Sequence, residues 1–258
     1  MIQLNPSQAT EIHMTTENHD SQGSNQSQPR RQSVSQSVKV VGEIPHALAV
    51  DFPIVGIGAS AGGLEAFEAF LKACPSDLGM GFVLVSHLSP DHDSLLAEIL
   101  QRCTTMPVAQ ALDQIRVEPN HIYIIPPNRD MAILHGVLQL SLPDHERGRR
   151  LTIDGFLRSL ADDQAEHAIG IILSGTASDG TLGLRAIRCA GGVCMVQDPS
   201  TAKYDGMLQS AINAGYATHI LPVEKMPSKL LELSNQSIFR QQVPHVFPAA
   251  ALSLMCKQ

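Results

Sequence analysis

No segment of this sequence approaches the roughly 20 consecutive apolar residues that a membrane span needs, and the N-terminus has no apolar signal core. Insertion and export are therefore not expected, which places the protein in the cytoplasm. Strong charge of either sign is missing as well. The formal net charge of −7 is mild and gives no reason to propose nucleic acid as a partner. Paired cysteine motifs are absent too: the five cysteines, Cys74, Cys103, Cys189, Cys194 and Cys256, are odd in number and contain no Cys-x-x-Cys spacing. Neither a disulfide framework nor a zinc site is suggested, and most of these thiols are expected to be buried as small apolar residues.

What is present is enough apolar material for a sizeable core. At 258 residues with 43% hydrophobic content, the chain can form one large domain or two small ones. Residues 1–48 stand apart, because serine and glutamine dominate Asn18–Ser37 and such a segment cannot offset its ordering entropy by burial. A disordered tail is expected there, followed by a catalytic domain over 49–233 and a C-terminal tail or linker over 234–258. Val246–Met255 is apolar enough to pack back on the domain.

From Asp51 onward, apolar runs alternate with helical patterns. Runs at Ile54–Ile57, Phe82–Val85, Ile122–Ile125, Ala168–Leu173, Val193–Val196 and Ala217–Leu221 read as strands. Between and after them, Leu64–Cys74, Ser94–Arg102, Ile153–Gln164, Gly183–Ala190, Leu208–Ala214 and Lys225–Leu233 read as amphipathic helices. The fold class is α/β: a doubly wound, mostly parallel sheet with helices on both faces. One antiparallel hairpin interrupts it over Met131–Leu140, turning at His135-Gly136.

The first strand runs into a turn of small residues, Ile54-Val-Gly-Ile-Gly-Ala-Ser60-Ala-Gly-Gly. Gly58, Gly62 and Gly63 are expected to let the backbone turn sharply, with Ser60 at a helix N-terminus. Two motifs overlap here. Gly58-Ala-Ser60-Ala-Gly62 fits a nucleophile elbow, and Gly56-x-Gly58-x-x-Ala61 fits a relaxed dinucleotide fingerprint. A dinucleotide site expects an acidic residue ending the next strand, whereas Gly81–His87 ends in histidine. The histidine favours a serine with a base.

In an open α/β sheet, chemistry gathers at the carboxyl ends of the strands. Ser60 follows the first strand, His87 ends the second, and Asp179 lies in the loop Ser174-Gly-Thr-Ala-Ser-Asp179-Gly after the strand Ile169–Leu173. A serine needs a base, histidine titrates in the right range, and a carboxylate fixes its tautomer. Each has a plainer reading: Ser60 as a helix N-cap, His87 as a hydrogen-bonded strand-end histidine, and Asp179 as a cap for the helix starting near Gly180. Asp91-His92-Asp93 beside His87 raises a metal site, but reads more simply as a helix-starting loop. No metal or other cofactor is expected.

The serine turn, the strand-end His87, the Leu173–Gly180 loop and the run from Gln197-Asp-Pro through Tyr204-Asp-Gly-Met207 to Ser210-Ala-Ile together resemble the catalytic domain of CheB-type protein-glutamate methylesterases. The resemblance covers about Asp51 to Leu230. It implies hydrolysis of glutamate methyl esters on the cytoplasmic helices of a methylated chemoreceptor, with deamidation of glutamines as a related acyl transfer. It also implies that Ser60, His87 and Asp179 form the triad, with oxyanion donors at the backbone of Ala61 and Thr176. Family members commonly carry threonine and methionine where this chain has Ala61 and Thr176, which is tolerable if those positions act through backbone N–H groups. About 50 residues before the motif cannot supply the family's receiver domain, so control by a regulator or receptor methyltransferase in trans is expected. The competing readings are a CheB-like binding module without turnover and a nicotinamide-dependent oxidoreductase built on the glycine fingerprint. A general esterase would order its triad Ser, Asp, His.

Overall fold

The computed structural model describes residues 50–86, 93–143 and 151–235. The expected N-terminal tail, nearly all of the expected C-terminal tail and His87 lie outside these residues. Seven parallel strands form one sheet: β1 (Ile54–Ala59), β2 (Gly81–Ser86), β3 (Val108–Gln110), β5 (Ile122–Ile124), β8 (Ala168–Ile172), β9 (Val193–Gln197) and β10 (His219–Leu221). Their spatial order is β10-β9-β8-β1-β2-β5-β3. A separate antiparallel sheet pairs β4 (Ile115–Arg116) with the hairpin β6 (Asp130–Leu134) and β7 (Val137–Ser141). The expected hairpin turn is there, with His135 at φ 53° and Gly136 at φ 71°, the double positive φ of a type I′ connection. β3 and β4 escape pattern reading because they are short and only partly buried.

Strand alternation divides the core into two. Ile54, Val83, Val85, Ile172 and Val196 face one layer, while Val55, Ile57, Phe82, Leu84, Ile169, Ile171 and Met195 face the other. The first layer holds α3 (Thr152–Gln164), α4 (Thr181–Cys189) and α5 (Gly206–Asn213). The second holds α1 (Gly63–Ala73), α2 (Asp93–Gln101) and α6 (Met226–Ser234). Helices thus cover both faces, as the apolar-run and helix alternation requires.

Gly56 and Gly58 sit inside β1 rather than in the turn. A Cβ on Gly56 would stand 2.8 Å from Leu157 Cδ2, and one on Gly58 would stand 2.3 Å from Ile153 Cγ2. Their role is to let α3 lie directly against the central strand. The dinucleotide reading of Gly56-x-Gly58 does not fit this arrangement, because both positions are filled by a packed helix and the turn begins only at Ser60. Of the glycines expected to bend the chain, Gly62 alone takes positive φ, 72°.

Among the cysteines, Cys194 is buried, Cys74 and Cys103 are half-buried, and all three are free. Burial pushes the Cys74 and Cys194 thiols up to about 12, so neither is poised as a nucleophile. No helix among the described residues is long and apolar enough to cross a membrane.

Candidate active site

The chain order reverses at β1. From β1 it proceeds outward through β2 toward β5 and β3, then returns to β8 on the other side of β1 and continues to β9 and β10. The loops after β1 and β8 therefore leave neighbouring strands at the switch point, where open α/β sheets bind ligands. Ser60 is in the first loop and Asp179 in the second.

Ser60 is half-buried, and its N–H donates to the Ser174 carbonyl at 3.0 Å, fastening the two loops together. Its carbonyl accepts from Gly63 N–H at 2.8 Å, closing the turn into α1. The N-cap of α1 is Gly62, with no side-chain cap, so the Ser60 hydroxyl is not used to cap the helix. A Cβ on Gly62 would meet Ser174 Oγ at 2.7 Å and Lys203 Cβ at 3.1 Å. A Cβ on Gly175 would stand 2.1 Å from Met207 Sδ and 3.1 Å from Ser60 Cβ. Glycine at both places is what permits the loops to touch.

Ser174 is the hub of the contact. Its N–H donates to Gln197 Oε1 at 2.9 Å, and its hydroxyl reaches the carbonyls of Ala61 at 2.9 Å and Tyr204 at 3.2 Å while accepting from Tyr204 N–H at 3.1 Å. Gln197, also buried, donates onward to the Thr201 carbonyl at 3.2 Å. Buried polar groups tied this completely fix one geometry. Across the surface of the same junction, Lys203 Nζ pairs with Glu65 Oε1 at 3.2 Å. The Glu65 backbone N–H and then Lys203 hold that carboxyl below its ordinary range, and Glu65 raises Lys203 in turn. Both groups are well exposed, so the pair is a weak strap.

Asp179 is 4% exposed, and its carboxylate accepts three backbone N–H groups. Oδ2 takes that of Ile153 at 3.0 Å, and Oδ1 takes those of Asp154 and Gly180 at 2.9 Å each. The expected alternative, a cap on the helix near Gly180, is thus only part of the arrangement: the carboxylate holds the start of α3 as well. The return contact comes from Asp154, whose Oδ1 accepts Gly183 N–H in the first turn of α4 at 2.7 Å. Burial, and the nearby Asp179 charge, push the Asp154 carboxyl above its ordinary range, against the lowering effect of Gly183 N–H and Arg158. Before Asp179 the loop passes through Ala177 at φ 67°, a left-handed conformation that costs about 1–2 kcal/mol for a residue with a Cβ.

Of the residues singled out from the sequence, Ser60, Ala61, Thr176 and Asp179 lie on loops that the fold brings together. Ala61 and Thr176 lie on opposite sides of the junction, and neither main-chain N–H donates to a protein acceptor among the described residues. His87 lies outside the described residues, one position beyond the end of β2, which pairs with β1 on the side away from β8. Ser174, Gln197, Met207 and Asp154 carry much of the geometry and were not selected as site residues. Ser174, Gln197 and Met207 stand in the stretches that carry the family resemblance; Asp154 had no signal beyond its place at a helix start. Among the described residues no group of three or more His, Cys, Asp or Glu could hold a metal ion.

Comparison with known proteins agrees with this geometry. A family model described as CheB methylesterase matches residues 55–230. A relative from Pseudomonas aeruginosa, named protein-glutamate methylesterase/protein-glutamine glutaminase 2, is 33% identical over 183 residues, covering 69% of this chain and 52% of the relative. A Burkholderia lata protein of the same name is 35% identical over 179 residues, covering 69% of this chain and 53% of that protein. The chain therefore spans about half the length of these curated relatives. The crystal structure of the Thermotoga maritima CheB methylesterase catalytic domain superposes with a TM-score of 0.67 at 31% identity, covering 71% of this chain and all of that domain. With its strand order, its serine turn and its buried aspartate loop at one switch point, the chain belongs to the CheB methylesterase family.

Proposed function

We propose that this protein is a protein-glutamate methylesterase that hydrolyses glutamate γ-methyl esters on the cytoplasmic helices of methylated chemoreceptors, with deamidation of glutamines as a second acyl transfer. The observation that carries the reading is the contact between the Ser60 turn and the Asp179 loop on adjacent strands, within a chain of this family. The setting is cytoplasmic signal transduction.

Ser60 Oγ attacks the ester carbonyl while the His87 imidazole accepts its proton. The oxyanion that forms is met by the main-chain N–H groups of Ala61 and Thr176, each contributing on the order of 3 kcal/mol. Because these donors belong to the backbone, the side chains at the two positions can differ from the family's usual ones. The tetrahedral species collapses, the Ser60–carbonyl bond is kept, and methanol leaves with the proton held on His87. Water, deprotonated by His87, then cleaves the acyl-enzyme and regenerates Ser60 and a free glutamate. With a glutamine substrate the same sequence releases ammonia. Asp179 accepts the other ring N–H of His87 and fixes its tautomer.

Methanol release from methylated receptor, measured with wild type and Ser60→Ala, tests the reading. The expected loss is on the order of 10⁴-fold or more, with an unchanged melting temperature because the hydroxyl caps no helix. Equal release by the two proteins removes the proposal.

A further inference from the structure

We propose that Asp154 is a positioning residue for the Asp179 carboxylate, acting through a crosswise pair of helix caps; the proposal rests on the hydrolase reading above. The residues preceding α3 and α4, Leu151 and Gly180, supply no side-chain cap to their own helices. Each helix start is capped instead by a carboxylate from beside the other, Asp179 just ahead of α4 and Asp154 in the first turn of α3. Asp179 accepts from Ile153 and Asp154 at the start of α3, and Asp154 accepts from Gly183 at the start of α4. Asp154 belongs to both halves of the exchange, since its own N–H is one of the donors on Asp179 Oδ1.

The packing leaves this junction little slack. A Cβ on Gly183 would stand 2.5 Å from Leu157 Cβ and 3.3 Å from Asp154 Cα, and one on Gly180 would stand 2.3 Å from Ile172 Cδ1. With the helices this close, the Asp154–Gly183 bond sets how the start of α4 meets the start of α3. That in turn sets the direction in which the Asp179 carboxylate is presented to an imidazole. Asp154 is 3% exposed and faces Asp179, with Arg158 as its nearby cation and its Oδ1 on Gly183 N–H. The reach of that oxygen is what matters: a serine oxygen would stop short of Gly183, whereas an acceptor at the Oδ1 position fixes the approach of the two helices.

The test uses the full chain in two assays: methanol release from methylated receptor, and the rate at which a fluorophosphonate labels Ser60, which needs an activated serine but no receptor. Asp154→Ala is expected to lower kcat and the labelling rate by about tenfold or more, since small misplacements cost that much, with KM within about twofold. Asp154→Asn keeps an acceptor for Gly183 N–H and is expected to recover most of both. If the alanine variant does not fold, Asp154→Ser, whose oxygen stops one bond short of Gly183, carries the same expectation. Wild-type labelling in Asp154→Ala, or an asparagine variant as slow as the alanine one, overturns the proposal. Wild type that labels with this pattern across the variants but releases no methanol sinks the methylesterase reading and leaves the role of Asp154 standing. Wild type that does not label at all overturns both.

Discussion

The two loops of the site are built by opposite means. The Ser60 turn is shaped largely by what is missing: no Cβ at Gly62 or Gly63 and no side-chain cap on α1, with main-chain groups that close the turn and tie it to Ser174. The loop from Ser174 to Gly180 is shaped by what is added, a buried serine, glutamine and pair of aspartates, most of whose bonds reach residues distant along the chain. Steric permission shapes the Ser60 turn, and buried polar bonding shapes the Asp179 loop and fastens the two together. The first is tolerant of its surroundings; the second depends on all of its members, because a buried donor that loses its acceptor carries its full desolvation cost.

The contrast breaks most visibly at Asp179. Asp179→Ala leaves three buried N–H groups without acceptors and is expected to lower stability by about 3 kcal/mol or more, in a urea melt read by circular dichroism, with loss of methanol release. An effect below ~1 kcal/mol would mean that the loop is held by sterics after all. Gln197→Ala orphans Ser174 N–H and is expected to cost about 1–3 kcal/mol, and to slow Ser60 labelling although Gln197 touches neither triad candidate. On the other side of the comparison, Gly62→Ala places a Cβ at φ 72° and against Ser174 Oγ. The expected cost is about 1–2 kcal/mol, with the activity loss exceeding what the stability loss explains.

The smallest effect has the opposite sign. The Asp154 carboxyl is raised by burial, so the folded state binds its proton more tightly than the unfolded chain does. Its ionisation therefore disfavours folding above the folded pKa, and that penalty fades as pH falls toward the model-peptide value of 3.8. Asp154→Asn, which keeps the hydrogen bond and drops the charge, is expected to melt slightly higher than wild type at pH 7.5, with the difference shrinking as the buffer is acidified. A constant difference across that range would show that charge is not the reason.

This division also explains what could be read from the chain. Apolar periodicity located six strands of the parallel sheet and the six α-helices among the described residues within a few residues, since Val55, Ile57, Phe67 and Phe70 must face a core wherever the chain goes. The small-residue turn at Ser60 and the carboxylate at Asp179 were legible because each has a local motif. The assignment of Gly58 to a turn was not sound, because a glycine making room for a crossing helix and a glycine bending the chain look alike in one dimension. The crosswise caps were not legible at all. Leu151 and Gly180 give no capping signal, and nothing near Asp154 in sequence says that its partner is Gly183. Side-chain bonds between distant positions have no period, so pattern reading passes over them.

The exchange of caps between α3 and α4 bears on when the site is completed during synthesis. Neither helix start is finished until the other has arrived, so the carboxylate cannot be aimed while the second half of the domain is still emerging. On the proposed hydrolase reading, a nascent or partly denatured chain would carry the Ser60 hydroxyl without the aimed carboxylate that serves it.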